Sequence, residues 1–533
     1  MDLYQQRAIS RRAFLGTAAG VAGVSALGGP KEGGAAGGKP PNIVIVFTDD
    51  AGYSDVGCFG SEIPTPNVDA LAAEGLRFRK FYTCARCSPS RASLLTGQYP
   101  HSVGAGDLCR PSDETSYPGY LGYMNRENVT SAEVLRSAGY RTVMSGKWHL
   151  GGERVEGGEP APGEKEKWPT ARGFEKFFGL IHGQTGYFRP WDVRPFRLGE
   201  ERYEAGDTFY ATDAITDYAI RFLREIRQEG DAPFFLYLPY TAPHAPHEAP
   251  KALVEKYRQQ YGNGWGGLHG MRVRHLAESG LIPSAWEPQP LPQGLTGEAP
   301  GEKKIEMMAT HAAMLEIWDR NVGRVVQELE RLGERDNTVI FVLSDNGAAG
   351  PHHPLCVTPF TGSKGNLHEG GTATHCVVNW PAGISDPGRV LRQAPHLIDM
   401  LPTCLEIAGA DYPDRFEGRQ IPPPAGVSFL SLLQGESWRG HDRLFWDLYG
   451  QQAVIEGRWK YYNDLRNRPH LYDLQEDGTE MHDLAEQYPD KVRALAGAHA
   501  EWARRHHVLP FETVLEAQGR LNKLKRIRRI REQ

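Results

Sequence analysis

Beyond its N-terminal segment the sequence has no uninterrupted apolar run approaching the ~20 residues that a membrane-crossing helix requires, which excludes a helical membrane-spanning protein. It also lacks a positive excess: 60 Lys and Arg stand against 66 Asp and Glu, a formal net charge of -6. No overall basic field draws a polynucleotide, so nucleic acid is set aside as a partner and any anionic substrate has to be attracted by local charge. Cysteine is scarce. Cys58, Cys84, Cys87, Cys109, Cys356, Cys376 and Cys404 are an odd set that leaves at least one thiol unpaired even in an oxidising compartment. There is no internal repeat.

What is present is globular in composition, 40% hydrophobic and 24% charged, in a chain of 533 residues that exceeds one ordinary core and predicts one large domain with a smaller one. The N-terminus reads Ser10-Arg11-Arg12-Ala13-Phe14-Leu15, followed by the small, mildly apolar residues 16–29. This is the pattern of a twin-arginine export signal, so residues 1–40 are read as signal and linker. That reading makes the twin-arginine export machinery a partner and the mature protein periplasmic or secreted, with order beginning near Pro41.

From Pro41 to about Gly409, Val/Ile/Phe-rich runs at 42–47, 141–144, 233–238 and 338–343 alternate with helical patterns at 71–75, 131–139, 211–227 and 307–332. Alternation of this kind predicts an α/β fold, a large, mostly parallel sheet sandwiched by helices, in a catalytic domain over 41–437. Residues 251–305, rich in Gly, Pro and charge, are expected to be an insertion, either a pocket wall or a surface excursion. After Pro422-Pro423-Pro424, short aromatic strands at 444–449 and 458–462 and a helix beyond Asp490 predict a small C-terminal antiparallel-sheet subdomain over 438–515. The tail, 516–533, is expected to be a basic, solvated helix in preference to one that touches anionic lipid or a partner.

The polar residues fall just past the strands. Thr48-Asp49-Asp50 follows the first run and Ser344-Asp345-Asn346-Gly347 the last, and in a parallel sheet such C-terminal ends share the edge where ligands bind. Three carboxylates and an amide form a hard oxygen set, suited to Ca²⁺ or Mg²⁺ and poorly suited to Zn²⁺. Asp and Asn also begin turns, and either pair alone would read that way. Gly146-Lys147-Trp148-His149 and Ala242-Pro243-His244-Ala245-Pro246-His247 sit at two further strand ends, so convergence favours a site that binds an anion and transfers protons. Cys87, ahead of Pro89 and a helical stretch at 91–95, lies near a helix N-terminus that suits an anion, yet no local His supplies the partner of a thiol hydrolase. Residue type and spacing leave a nucleophilic thiol and a plain buried or disulfide-linked cysteine both open.

With these residues in hand, the chain resembles the type I, formylglycine-dependent sulfatases of the alkaline phosphatase superfamily, bacterial arylsulfatases in particular. Cys87, Pro89, Arg91, Thr96 and Gly97 match the C-x-P-x-R…T-G signature. The similarity continues through Asn42-Ile43-Val44, Asp49 to Tyr53, Thr65-Pro66-Asn67-Val68-Asp69, Gly146 to Gly151, Ser344 to Gly347, Glu369-Gly370-Gly371 and Leu471-Tyr472-Asp473-Leu474, essentially the whole mature chain. The resemblance implies that a formylglycine-generating maturation enzyme oxidises Cys87 before folding and that the aldehyde is hydrated to a diol. It assigns one Ca²⁺, with Mg²⁺ the lesser candidate, to Asp49, Asp50, Asp345, Asn346 and the modified Cys87, and gives Arg91 the task of holding the diol. Lys147 and Lys364 would offset charge on the sulfuryl group, His244 would protonate the leaving alcohol, and His149 would help a second hydroxyl expel sulfate. His244 is preferred to His247 because His244-Ala245-Pro246 fits the family's His-x-Pro, whereas Lys364 follows the individual stretch 351–360 containing His352-His353.

The activity so implied is hydrolysis of an aryl, alkyl or carbohydrate sulfate monoester to alcohol and inorganic sulfate. A phosphonate or phosphodiester hydrolase of the same superfamily is the nearest rival, and a non-catalytic calcium-dependent binding protein with unmodified Cys87 is the rival of another class. Loops at 107–125, 183–197 and 251–305, with Tyr120, Tyr123, Tyr187 and Trp191, are expected to shape the pocket.

Overall fold

The computed structural model describes residues 39–532 except 157–158, 293–294, 296–299 and 350–353, so the segment expected to be an export signal and His352-His353 lie outside the described residues. Residues 39–533 form one compact unit. The strands of the large sheet are β1 (Asn42–Thr48), β2 (Leu76–Tyr82), β3 (Arg141–Lys147), β4 (Lys176–Leu180), β5 (Phe196–Leu198), β6 (Glu201–Arg202), β7 (Phe234–Pro239), β8 (Thr338–Ser344), β9 (Ala373–Asn379) and β10 (Val390–Leu391). They are ordered β10-β2-β9-β8-β1-β7-β3-β4-β5-β6. β8, β1, β7, β3 and β4 run parallel, while β9 and β5 are antiparallel to their neighbours.

The helices that matter for the site are α1 (Pro66–Ala73), α2 (Cys87–Thr96), α3 (Ser131–Ser137), α4 (Ala211–Glu229), α5 (Lys251–Tyr261), α6 (Gly266–Glu278), α7 (Glu302–Arg331) and α8 (Met400–Ala408). Every residue of β1 is buried. Its alternate side chains serve two cores, Val44 and Val46 with α1, α4 and α7, and Ile43, Ile45 and Phe47 with α2, α3 and α8. This two-sided burial is why the parallel strands read as continuous apolar runs.

Three expectations change. The first helix starts at Pro66 and stops at Ala73, ahead of the expected 71–75, because Pro is pre-set for a helix's first turn. The 251–305 stretch contains α5 and α6, whose Tyr257, Tyr261 and Trp265 are buried in the main core, so it is more than a surface excursion. The tail forms a helix, Leu521–Arg531, but Leu524 and Ile527 are buried with Tyr120, Phe511 and Val514, so it docks on the protein and is not solvated all round. The apolar stripe that suggested lipid is occupied internally.

A four-stranded antiparallel sheet, β11 (Leu444–Leu448), β12 (Gln451–Glu456), β13 (Trp459–Asn463) and β14 (Pro469–Asp473), packs Val454, Tyr461 and Leu471 against Leu495 of α9 (Pro489–Arg505). It is clasped to the large sheet by buried charge. Lys460 of β13 donates to Glu369 at 2.7 Å and pairs with Glu480 at 2.9 Å, and Lys80 of β2 donates to the other Glu369 oxygen at 2.6 Å. The Glu369 backbone N–H in turn donates to Glu480. Burial works against the Glu480 charge, yet Lys460 and His368 hold its pKa down to about 2. Removing one member would strand a buried charge, which typically costs about 3–5 kcal/mol.

Candidate active site

The C-terminal edge of the parallel strands gathers the polar residues expected there. Asp49 follows β1, and Asp50 adopts a left-handed φ of 72°. Successive side chains of a strand point to opposite faces, so this departure from extended backbone lets two consecutive carboxylates enter one site. Asp345 follows β8, its backbone N–H bonded to the Thr48 carbonyl at 3.1 Å, and its Oδ1 accepts from the Asp50 N–H at 3.3 Å. Asn346 donates to Asp50 Oδ1 at 2.9 Å. Ligand atoms of Asp49, Asp50, Cys87 and His244 all lie within 4.8 Å of one another.

Cys87 is the first residue of α2, and Arg91 stands one turn on, on the same helix face. Both are buried. Arg91 donates through Nε and Nη2 to Asp345 Oδ2, at 3.2 and 2.9 Å, and through Nη1 to the Lys147 carbonyl at 2.9 Å. Burial pushes the Cys87 thiol up, only partly offset by Lys147 and Lys364, so it is a poor thiolate despite its helix N-terminus.

Lys147 ends β3. It follows Gly146, whose φ of 136° and approach to the Pro239 carbonyl, 1.9 Å from where a Cβ would stand, admit no side chain. The Lys147 ammonium bonds Asp49, and that of Lys364, on the loop between β8 and β9, bonds Asp50. His149, φ 56°, lies against Gly183, where a Cβ would fall 2.6 Å from the ring. Burial, then Lys147 and Arg91, pull the His149 pKa well below its ordinary value, leaving a neutral ring whose buried Nδ1 has no hydrogen-bond partner.

His244 sits in the turn after β7 and keeps an edge toward solvent, 16% exposed, with Nε2 3.7 Å from Asp50 Oδ2. Its Nδ1 donates to the Ala245 carbonyl at 2.6 Å, so Nε2 carries a proton only in the imidazolium. Burial lowers its pKa to about 4 against the pull of Asp49 and Asp50. His247 instead packs on His311, ring centroids 6.2 Å apart.

The chemistry of this donor set fits a hard divalent cation. Asp49 Oδ1 and Asn346 Oδ1 are buried without hydrogen-bond partners. Burial, followed by repulsion from Asp49, pushes Asp345 up to about 7 against the opposing pull of Arg91 and Lys147. A second donor group, Asp55, His311 and Cys356, is also within 4.8 Å, but the Arg272 guanidinium lies 3.3 Å from Asp55 Oδ1 and already supplies the positive charge. Arg272, donating to Asp55, ties α6 to the segment after Asp50, where Asp55 also accepts from the Gly52 N–H.

Some participants were not visible in the sequence. Arg86, half-buried directly before Cys87 and over the Tyr449 ring at 5.8 Å, was not singled out. Tyr187 is not a pocket-lining ring: it is buried, and its hydroxyl donates to the Thr241 or His244 carbonyl, at 2.6 and 3.0 Å, bracing the His244 turn. Tyr120 is likewise buried, under the tail helix. Tyr123 faces the Lys167 ammonium, while Phe188 and Trp191 are the exposed rings of the 183–197 loop.

Comparison with known proteins agrees with this geometry. A family model described as Sulfatase matches residues 41–410. An uncharacterized sulfatase of Schizosaccharomyces pombe is 32% identical over 86% of this chain and 92% of its own, and an arylsulfatase of Klebsiella aerogenes is 29% identical over 75% and 93%. Among solved structures, Ps i-CgsB in complex with k-i-k-neocarrahexaose shares the fold, with a TM-score of 0.69 at 24% identity, covering 91% of this chain and 98% of that one.

Proposed function

Because this chain belongs to the sulfatase family, and is by that membership a sulfuric ester hydrolase, we propose that it cleaves a sulfate monoester at the edge where Cys87, the oxygen ligands, two lysines and two histidines converge. That convergence is the observation that carries the reading. The residues in question come from four separate strand ends, the loop that carries Lys364 and one helix start, and a binding protein has no need of Lys147, His149 and His244 together. In this reading residues 41–437 are the catalytic domain, Cys87 is matured by a formylglycine-generating enzyme, and export by the twin-arginine route places the protein outside the cytoplasm.

Asp49, Asp50, Asp345 and Asn346 would hold the cation, and several charged oxygens at once suit Ca²⁺ better than Mg²⁺, which keeps most of its water. Such an ion offsets charge on the sulfuryl oxygens. Formylglycine at position 87 supplies, once hydrated, a nucleophilic hydroxyl and a second hydroxyl that expels sulfate. Lys147 and Lys364 hold the sulfuryl oxygens, a preorganised positive lining in a site closed to water. Arg91, locked to Asp345 and the Lys147 carbonyl, fixes the end of α2 and adds positive charge beside position 87. His244 Nε2 gives its proton to the leaving oxygen, and a bound anionic ester raises its pKa from the low value of the empty site. His149, neutral and with Nδ1 unengaged, accepts the proton of the second hydroxyl.

Parallel kcat/KM measurements on aryl sulfate, phosphodiester and phosphonate esters test this function. Sulfate esters should dominate, and a phosphorus ester turned over faster would assign the site to phosphoryl chemistry. His244→Ala should cost little with a good leaving group and about 10²–10⁴-fold with a poor one. Equal losses across a leaving-group series would remove His244 from the role of general acid.

A further inference from the structure

A cavity of about 600 Å³ opens beside β2, apart from the catalytic edge. Its cationic lining is Arg79, Lys80, Arg392, Arg439 and Arg458, with Trp438 as an apolar wall, and no lining residue carries a carboxylate. Three of the five cations are answered from outside it: Lys80 by Glu369, Arg458 by Asp473, and Arg439 by Asp442 at 3.2 Å. Arg79 and Arg392 are not answered. Among the described residues neither has a carboxylate partner; Arg79 reaches only the Gly280 carbonyl, at 3.3 Å, and its buried Nε has no acceptor. Burial and then the neighbouring Arg392 lower the Arg79 pKa, so the two guanidiniums repel across the cavity.

An isolated surface arginine explains itself by hydration. Two facing ones, one of them with an orphaned buried N–H, in a bounded concavity without acids, are a standing cost to the fold that a bound oxyanion would relieve. We infer that this cavity is a second anion site, which takes a sulfate group of a sulfated saccharide chain between Arg79 and Arg392. The volume exceeds a lone oxyanion and lies within the range of small-molecule sites, leaving room for the sugar that carries the group. Planar guanidinium forks suit oxyanions. Lys80, on the cavity wall, bonds Glu369, which stands in the same connection between β8 and β9 as Lys364. An oligosaccharide bearing several sulfates would be anchored here by one group while another is cleaved.

Isothermal titration with sucrose octasulfate tests the site on cation-loaded wild-type protein, Arg392→Gln and Arg79→Gln/Arg392→Gln, with sucrose, inorganic sulfate and polyglutamate as comparison ligands. The double variant should bind the probe at least about tenfold more weakly, since each charged hydrogen bond is worth about that much. Its kcat/KM on a small aryl sulfate should stay within about twofold of wild type, and its thermal midpoint should hold or rise as the arginine repulsion is lost. Arg392→Gln, at an exposed position, should give part of the loss without any risk to folding. Unchanged probe affinity in both variants would overturn the proposal, as would an equal loss of aryl sulfate turnover, which would locate the effect in the catalytic centre. Polyglutamate binding as tightly as the probe would overturn the saccharide assignment. The binding arm stands whether or not aryl sulfate is turned over.

Discussion

Cys87→Ala should fold, bind its cation and turn over sulfate esters at least about a thousandfold more slowly than wild type, the loss expected when a nucleophile is removed. Cys87 is buried at the head of α2, so deleting its sulfur leaves a small cavity costing about 1–2 kcal/mol, while Asp49, Asp50, Asp345 and Asn346 are untouched. Cys87→Ser should be as inactive, because one hydroxyl cannot both attack and expel sulfate. Steady-state kinetics with a thermal midpoint on each variant decides this, and activity within about tenfold of wild type would take residue 87 out of the chemistry. Mass spectrometry of the Cys87 peptide from the native organism adds the complementary fact. An intact thiol there would favour the binding-protein reading.

Chelation should abolish turnover, by at least about a hundredfold, and Ca²⁺ should restore it better than Mg²⁺. It should also expose a pH dependence of stability. Without a cation, Asp345 has a folded-state pKa of about 7, raised from 3.8 by burial and by Asp49. A group whose folded pKa is raised stabilises fully below its unfolded value and loses that contribution as pH climbs through the folded one. Relative to the cation-loaded protein, the cation-free protein should therefore lose stability between about pH 4 and pH 7, the gap between the two midpoints widening over that window. With cation bound the carboxylates are ionised and neutralised, and Asp345 contributes no slope there. Cation affinity should correspondingly rise with pH as the Asp345 proton leaves. Coincident curves with and without cation would mean that these carboxylates hold none.

Much of this site was legible because of how parallel strands are buried. β1 and β8 are buried from end to end and wholly apolar over 43–47 and 339–343, so the polar runs that follow, with Asp49 and Asp50 in one and Asp345 and Asn346 in the other, stood out. Cys87 and Arg91 became legible only through the family signature, since residue type and spacing alone left the role of Cys87 open. The clasp of Glu369, Lys460 and Glu480 was not, because each is an unremarkable charged residue whose burial depends on contacts 91 to 111 residues away in sequence. Arg86 and Arg79 were hidden for the same reason, since arginine in a loop or at a strand edge has solvent as its ordinary surroundings. The docking of the tail helix escaped because a mostly basic pattern conceals that Leu524 and Ile527 suffice to bury one stripe. Tyr187 misled in the opposite sense: an aromatic in a loop beside a pocket invites a stacking role, but its hydroxyl is spent on the backbone of the His244 turn.

The pairing of β1 with β8 carries one more consequence, in time and not in space. Asp50 and Asp345 meet across 295 residues, and β1 cannot be flanked on both sides until β8 has been made. Contacts so distant in sequence form late, after a large loop has been closed. Until then the residues around Cys87 are open chain, accessible from all sides, whereas in the finished fold Cys87 has 2% of its surface exposed. For the proposed maturation of Cys87, the order of strands would give a modifying enzyme a window that closes when β8 inserts, and any change that speeds that insertion should lower the fraction of protein matured there.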